Sequence, residues 1–138
     1  MVVPIDFSPA SASAVATAIE AARQPAGVHV VHVLLPLEIM SPGVLFDTIN
    51  ENTRRQAAQQ ALATFLAQNS FTGVQSAVLS GDPGTKITEY AASLRAGLIV
   101  IPSHGYHGIQ RLLLGSVAER VIRHAECAVL VLRRPDAR

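Results

Sequence analysis

The chain has 138 residues, of which 49% are hydrophobic and 15% are charged, with a formal net charge of +1 at pH 7. These values fit one folded domain, residues 1–138, exclude a disordered chain, and leave no basic cluster beyond Arg133-Arg134 that would suggest nucleic acid as a partner. The single cysteine rules out an intrachain disulfide and no apolar run approaches about 18 residues, so we expect a cytoplasmic protein without a membrane span.

The chain opens with a strand followed by a helix start. Residues 2–6 (VVPID) predict the strand, Ser8 suits a helix N-cap, and Pro9 suits the first helical position. Residues 27–36 (GVHVVHVLLP) then predict a second strand. Because nearly all of them are apolar, we expect this strand to be covered on both faces.

The middle of the chain predicts a loop, a long helix and a third strand. Residues 37–44 have the composition of the loop, and residues 45–69 show the periodicity of an amphipathic helix. In that helix Arg54 and Arg55 are expected to face outward. Residues 74–79 then predict the third strand.

The segment "SGDPGTK" has two possible interpretations. It superficially resembles a phosphate-binding loop, but the order Gly-Thr-Lys differs from the Gly-Lys-Ser/Thr of that motif. A helix start with Asp82 as N-cap and Pro83 at the first position explains the same residues better.

Two further strands and a helix complete the pattern. Residues 97–102 and 127–133 predict the fourth and fifth strands. Between them, Ser116 and Glu119 have the spacing of a capping box, which predicts the start of the last helix.

This order of elements carries no hairpin signal, so the strands are expected to be parallel. We predict an α/β fold: a doubly wound, Rossmann-like parallel sheet of five strands with helices on both faces. Ligands of such sheets bind outside the carboxyl ends of the strands, where the strand order reverses. Gly115 and Ser116 open the last helix, whose N-terminal amides suit phosphate, although turn-forming glycines explain the spacing equally well.

Several short motifs occur in an order that points to one family. They are "VPIDFSPAS", "HVVHV", "SGDPGTKI", "LIVIPSHG" and the C-terminal "GSVAERVIRHAECAVLVLR". Across the whole chain they resemble the universal stress protein family. The resemblance implies an adenine nucleotide α-hydrolase-like sheet, a homodimer, a role in stress response, and membership of either an ATP-binding or a non-binding branch.

The binding branch carries Gly-x-x-Gly, nine residues, then Gly-Ser or Gly-Thr. Here the pattern runs from Pro102 to Gly105, continues for nine residues, and ends in Gly115-Ser116, so that Pro102 replaces the first glycine. The resemblance implies phosphate contacts from Gly105, Gly115 and Ser116, ribose contacts from Asp6, and adenine contacts from the main chain of Val33. The full set implied to bind nucleotide is Pro4, Ile5, Asp6, Val33, Pro102, Ser103, His104, Gly105, Gly115, Ser116 and Val117.

Pro102 decides between two functions. Proline fixes φ and has no N–H, and the loss of one neutral hydrogen bond costs about 0.5–1.5 kcal/mol, or about tenfold in affinity. We therefore expect ATP, with or without Mg²⁺, to bind as the cofactor of a regulatory protein. A dimeric interaction module that binds no nucleotide is the alternative. Asp6 has the alternative role of capping the first helix, and Val33 that of a plain core residue.

The remaining polar residues suggest neither catalysis nor a metal site. No nucleophile, base and orienting group occur together, so we expect no enzyme and at most slow ATP hydrolysis. His104 and His107 lack further metal ligands nearby. His29 and His32 are expected to be satisfied structural histidines, and Cys127 a structural thiol.

The fifth strand also predicts an oligomer. An apolar strand at a sheet edge is an open template for pairing. Pairing with a second copy across a two-fold axis would cover it, and the family resemblance implies the same homodimer.

Overall fold

The computed structural model describes residues 1–37, 50–103 and 114–133. Its strands are β1 (Val2–Pro4), β2 (His29–Leu34), β3 (Gln75–Ser80), β4 (Leu98–Pro102) and β5 (Ala128–Leu132), and its helices are α1 (Pro9–Ala21), α2 (Glu51–Gln68), α3 (Pro83–Ser93) and α4 (Ser116–His124). Most of the predicted loop 37–44, the start of the predicted helix 45–69, and His104, Gly105 and His107 lie outside the described residues.

The five strands form one parallel sheet in the order β3-β2-β1-β4-β5. The chain moves from β1 outward to β3, crosses back to β4 beside β1, and ends on β5. The strand order therefore reverses between β1 and β4, and the predicted doubly wound sheet is confirmed. Ligand crevices of such sheets open at this reversal.

Helices cover the sheet on both faces. On one face, Ala14, Val15 and Ala18 of α1 and Ala58 and Leu62 of α2 are buried against the sheet. A separate core on the other face is built by buried side chains of the sheet and of α3 and α4, namely Val2, Val31, Ile87, Ala91, Ile99, Ile101, Ala118 and Val121. Each fully buried Val, Leu or Ile contributes about 1.5–3 kcal/mol relative to exposure. No helix in the described ranges is long and apolar enough to cross a bilayer.

The predicted cap of the last helix was wrong by one residue. Gly115 is the N-cap of α4 and Ser116 is its first helical residue, so that Ser116 and Glu119 do not form a capping box. At α3 the predicted cap is confirmed, because Asp82 accepts a hydrogen bond from the Thr85 amide at 2.9 Å. Ser8 is the N-cap of α1 as predicted, but its side chain accepts no capping hydrogen bond.

Arg55 does not face outward as predicted. Its guanidinium donates to the Val78 carbonyl and to Ser80 Oγ, both at 2.9 Å, and Ser80 Oγ donates to Glu51 at 2.7 Å. Val78 lies on the outer strand β3, and its neighbours in the ladder bond to β2. Because backbone groups alternate sides along a strand, the Val78 carbonyl points to the free edge of the sheet. Arg55 therefore obstructs this edge.

Gly84 allows α3 and α4 to pack closely. A β-carbon built on Gly84 would lie 2.6 Å from Cγ and 2.8 Å from Cβ of Arg120, and closer still to its Cδ. The Arg120 stem lies across this glycine, and its guanidinium pairs with Asp82 at 2.8 Å. The pKa of Asp82 is lowered to about 2, first by the Thr85 amide and then by Arg120.

Candidate functional site

The carboxyl ends of β2, β1 and β4 bring three predicted site residues to one level. Pro4 pairs with Val31, so that Asp6, two residues on, lies level with Val33. Val2 pairs with Ile99, so that Asp6 also lies level with Ser103. Asp6, Val33 and Ser103 therefore lie at one level of the sheet, beyond the last β1–β4 pair and at the point where the strand order reverses.

Asp6 is held by its own turn. Its Oδ1 accepts hydrogen bonds from the Ser8 amide at 3.0 Å and from Ser11 Oγ at 3.1 Å. The residue is exposed, whereas Ser8 and Ser11 are buried. Asp6 thus fixes the start of α1, as one interpretation of the sequence required. It also lies exposed at the mouth of the crevice, as the other interpretation required.

Phe7 and His32 support this turn, in an arrangement that no pattern in the sequence predicts. Phe7 has φ of 62°, in the left-handed region that a bulky residue rarely adopts. Its ring packs on His32 with centroids 4.7 Å apart and meets Phe65 edge-on at 6.0 Å. His32 Nδ1 lies 2.9 Å from the Ile5 carbonyl. These contacts hold a strained residue beside Asp6, a situation common at binding sites.

The main chain of Val33 is directed toward the crevice. The Ile5 amide donates to the Val31 carbonyl at 2.8 Å, and the Gly81 amide donates to the Leu34 carbonyl at 2.9 Å. Because the direction alternates along β2, the N–H and C=O of Val33 point to the β1 side, beyond the final β1–β2 bond. A donor and an acceptor placed together in this way suit the edge of a purine.

The start of α4 is tied to the end of β4. The Gly115 amide donates to the Ser103 carbonyl at 2.7 Å, and the Ser103 amide donates to the Leu132 carbonyl at 2.9 Å. The Gly115 amide is thus already engaged. The next three amides, at Ser116, Val117 and Ala118, have no acceptor within the helix and form the positive end of its dipole. This end of α4 can receive an anion.

The structure describes most of the remaining predicted site residues. Pro4 ends β1 and Ile5 follows it, and both are buried. Pro102 ends β4 and is half-buried. His104 and Gly105 lie outside the described residues. Ser116 and Val117 also line a cleft of about 520 Å³ between α3 and α4. The other residues that line this cleft are Asp82, Gly84, Glu119, Arg120, Arg123 and His124.

His29 and Cys127 lie apart from the crevice. His29 is at the amino end of β2 with Nδ1 3.1 Å from the Tyr90 hydroxyl. Burial lowers the pKa of His29 and raises that of Tyr90. The expected structural role of His29 is confirmed by this contact. Cys127 is half-buried against the α3–α4 core, and within the described residues no three His, Cys, Asp or Glu side chains form a possible metal group.

Comparison with known protein families gives a match over nearly the whole chain. The model of the "Universal stress protein family" matches residues 1–133. Among curated relatives, universal stress protein MJ0531 of Methanocaldococcus jannaschii is 34% identical over 98% of this chain and 82% of its own. Universal stress protein A homolog 1 of Coxiella burnetii is 33% identical over 93% of this chain and 91% of its own.

Solved structures show the same fold. The structure of hypothetical protein MJ0577 is similar with a TM-score of 0.80 at 24% identity, over 99% of this chain and 96% of that one. A universal stress protein in complex with cAMP has a TM-score of 0.61 at 24% identity, over 96% of both chains. A family protein from Arabidopsis thaliana with AMP bound has a TM-score of 0.59 at 17% identity, over 98% of this chain and 92% of that one.

Proposed function

The chain belongs to the universal stress protein family, and on that premise we propose that it is a regulatory protein that binds ATP or a related adenine nucleotide and acts in stress response. The nucleotide occupies the crevice between the carboxyl ends of β1 and β4. The role is regulatory and not catalytic, and the cytoplasmic setting expected from composition is part of the same proposal.

One observation carries this proposal. Asp6, Val33 and Ser103 share one level at the strand reversal, and the Gly115–Ser103 hydrogen bond fixes the amides of α4 beside them. The proposal assigns the purine edge to the Val33 main chain, the ribose hydroxyls to Asp6, and the phosphates to the amides of Ser116 and Val117. The AMP and cAMP in the two related structures support an adenine nucleotide as the ligand class.

The described residues fit ATP better than they fit a resident metal ion. A main-chain donor and acceptor, a carboxylate and a helix N-terminus match a base, a ribose and phosphates respectively. Mg²⁺ is typically held by one or two carboxylates, waters and the phosphates themselves. In this proposal Mg²⁺ arrives with the nucleotide.

Calorimetric titration with ATP, AMP and cAMP tests the proposal. We expect the wild-type protein to bind at least one of them, and the Gly115→Ala/Ser116→Ala variant to bind it more weakly. Mass spectrometry of the natively purified protein would identify the nucleotide that accompanies it. Absence of binding of all three nucleotides to the wild type would contradict the proposed function. Equal affinity in the wild type and the double variant would show that neither the Ser116 hydroxyl nor the lack of a side chain at Gly115 contributes to binding, because both proteins keep the main-chain amides of α4.

A second candidate function follows from Pro102, which replaces the first glycine of the binding pattern. In that case the chain is a dimeric interaction module without a nucleotide. Absence of any thermal shift with millimolar ATP would favour this candidate, whereas a shift of several degrees would exclude it.

The proposed assembly is a homodimer through β5. Val129 and Val131 are half-buried, and Leu130 remains 39% exposed on this edge strand. No side chain in the described ranges donates to the backbone of β5, whereas Arg55 occupies the opposite edge at β3. The asymmetry supports β5 as the edge that pairs with a second copy.

Leu130→Lys is expected to weaken this dimer at least tenfold without unfolding the chain. Leu130 is accessible in the single chain, so a lysine is tolerated there, but in the dimer its ammonium group would be desolvated. Sedimentation equilibrium measures the change. Leu94→Lys is the matched control, since Leu94 is also 39% exposed but lies at the end of α3. A wild-type monomer at tens of micromolar would contradict the proposed dimer.

A further inference from the structure

The β1–β4 ladder ends unusually early. These two strands share a single register pair, Val2 with Ile99, whereas β1 and β2 share three pairs and β4 and β5 share five. β1 continues to Pro4 and β4 continues to Pro102. The ladder therefore stops although both backbones remain extended.

The direction of the backbone groups explains the stop. The Ile5 amide donates to Val31 on β2, and the Ser103 amide donates to Leu132 on β5. Because these directions alternate, the nitrogen atom of Pro4 points to β4 and that of Pro102 points to β1. The two prolines thus face the same gap from opposite sides.

Each of the next two rungs would need a donor that proline lacks. From the Val2–Ile99 register, the following rungs would run from residue 4 to the Val100 carbonyl and from residue 102 to the Pro4 carbonyl. A proline nitrogen carries no hydrogen and cannot form either bond. The carbonyls of Val100 and Pro4 are left facing the gap without a ladder partner.

We propose that Pro4 and Pro102 together hold the crevice open, and that its floor presents backbone acceptors with no matching donors. A ligand group that reaches this floor is then a hydrogen-bond donor, such as a hydroxyl, an amino group or a water, and a phosphate oxygen is excluded from it. This inference rests on the proposed function for the identity of the ligand. In this inference Pro102, which stands where the binding pattern has glycine, is a positioning residue that shapes the crevice.

The variant Pro102→Ala tests this inference by supplying the missing N–H. We expect the new amide at position 102 to bond to the Pro4 carbonyl and to exchange with solvent at least about 100-fold more slowly than in an unstructured peptide. We also expect the affinity for ATP and AMP to fall by about tenfold, because the added rung narrows the crevice and occupies the new N–H. A tenfold rise would instead show that residue 102 can donate to the nucleotide, as the sequence pattern implied for glycine, and would overturn the inference. NMR hydrogen exchange without nucleotide and calorimetry measure the two effects.

Two further variants complete the test. Pro4→Ala should create a second protected amide, at position 4, by the same argument. Pro83→Ala is the control, because its new amide falls in the first turn of α3, where no acceptor lies within the helix, and should exchange quickly.

The possible outcomes separate the two proposals. Rapid exchange of the new amides at both positions 4 and 102 would overturn the inference, and so would protection at position 102 with unchanged nucleotide affinity. If the wild type binds neither ATP nor AMP, the proposed function fails. Exchange at position 102 still decides whether the prolines end the ladder.

Discussion

Ser116→Asp is expected to weaken ATP binding by about 30- to 150-fold while leaving the fold intact. Ser116 is the exposed first residue of α4, beside the amides assigned to the phosphates. A carboxylate about 4–5 Å from a phosphate repels it by about 2–3 kcal/mol after allowance for screening. The same carboxylate favours the helix N-terminus, so thermal stability should be unchanged or slightly raised.

Ser116→Asn is the matched control for this substitution. Asparagine has the shape of aspartate without its charge, so its effect on affinity should stay within several-fold. Calorimetry at low and high salt adds a further check, because charge repulsion diminishes with ionic strength. Equal affinities of the Asp and Asn variants would show that the phosphates do not bind at the N-terminus of α4.

Gly84→Ala is expected to destabilise the protein by about 2 kcal/mol. The added methyl group would overlap Cβ and Cγ of Arg120. Rotation of the side chain cannot move Arg120 Cβ, so α3 and α4 must separate, at an overpacking cost of about 1–3 kcal/mol. The Arg120–Asp82 ion pair would be disturbed as well. The higher helix propensity of alanine offsets at most about 1 kcal/mol of this overpacking cost.

Gly97→Ala is the control for Gly84→Ala. No heavy atom lies within 4 Å of a β-carbon built at Gly97, so the free energy of unfolding should change by less than about 0.5 kcal/mol. Urea unfolding of both variants measures the difference. A Gly84→Ala variant as stable as the wild type would mean that α3 and α4 can move apart without lowering the free energy of unfolding.

The sheet could be predicted from the sequence because short stretches of the chain indicate each strand and helix by themselves. Each strand is a short run of β-branched residues, and Pro9 and Pro83 mark two helix starts that the structure confirms. The order β3-β2-β1-β4-β5, and the register that sets Asp6 level with Val33, came from the structure and not from the sequence.

What the sequence did not reveal depends on contacts between distant residues. The outward direction expected for Arg55 was wrong, because its acceptor, the Val78 carbonyl, lies 23 residues away on another element. The helix cap shifted from Ser116 to Gly115, whose amide bonds to Ser103 across the segment between β4 and α4. The sequence also pointed to Pro102 as a lost donor, but only the register shows that Pro4 stands opposite.

The Arg55 contact with β3 bears on how large an assembly can grow. A sheet with two unpaired edge strands can add a copy at each edge and grow into a filament. A sheet with one unpaired edge strand can pair with only one further copy. In the part of the chain that the structure describes, the Arg55 guanidinium occupies the β3 edge, whereas no side chain donates to the backbone at the β5 edge. In the proposed homodimer the two β5 edges pair with each other, so the proposed assembly ends at two copies.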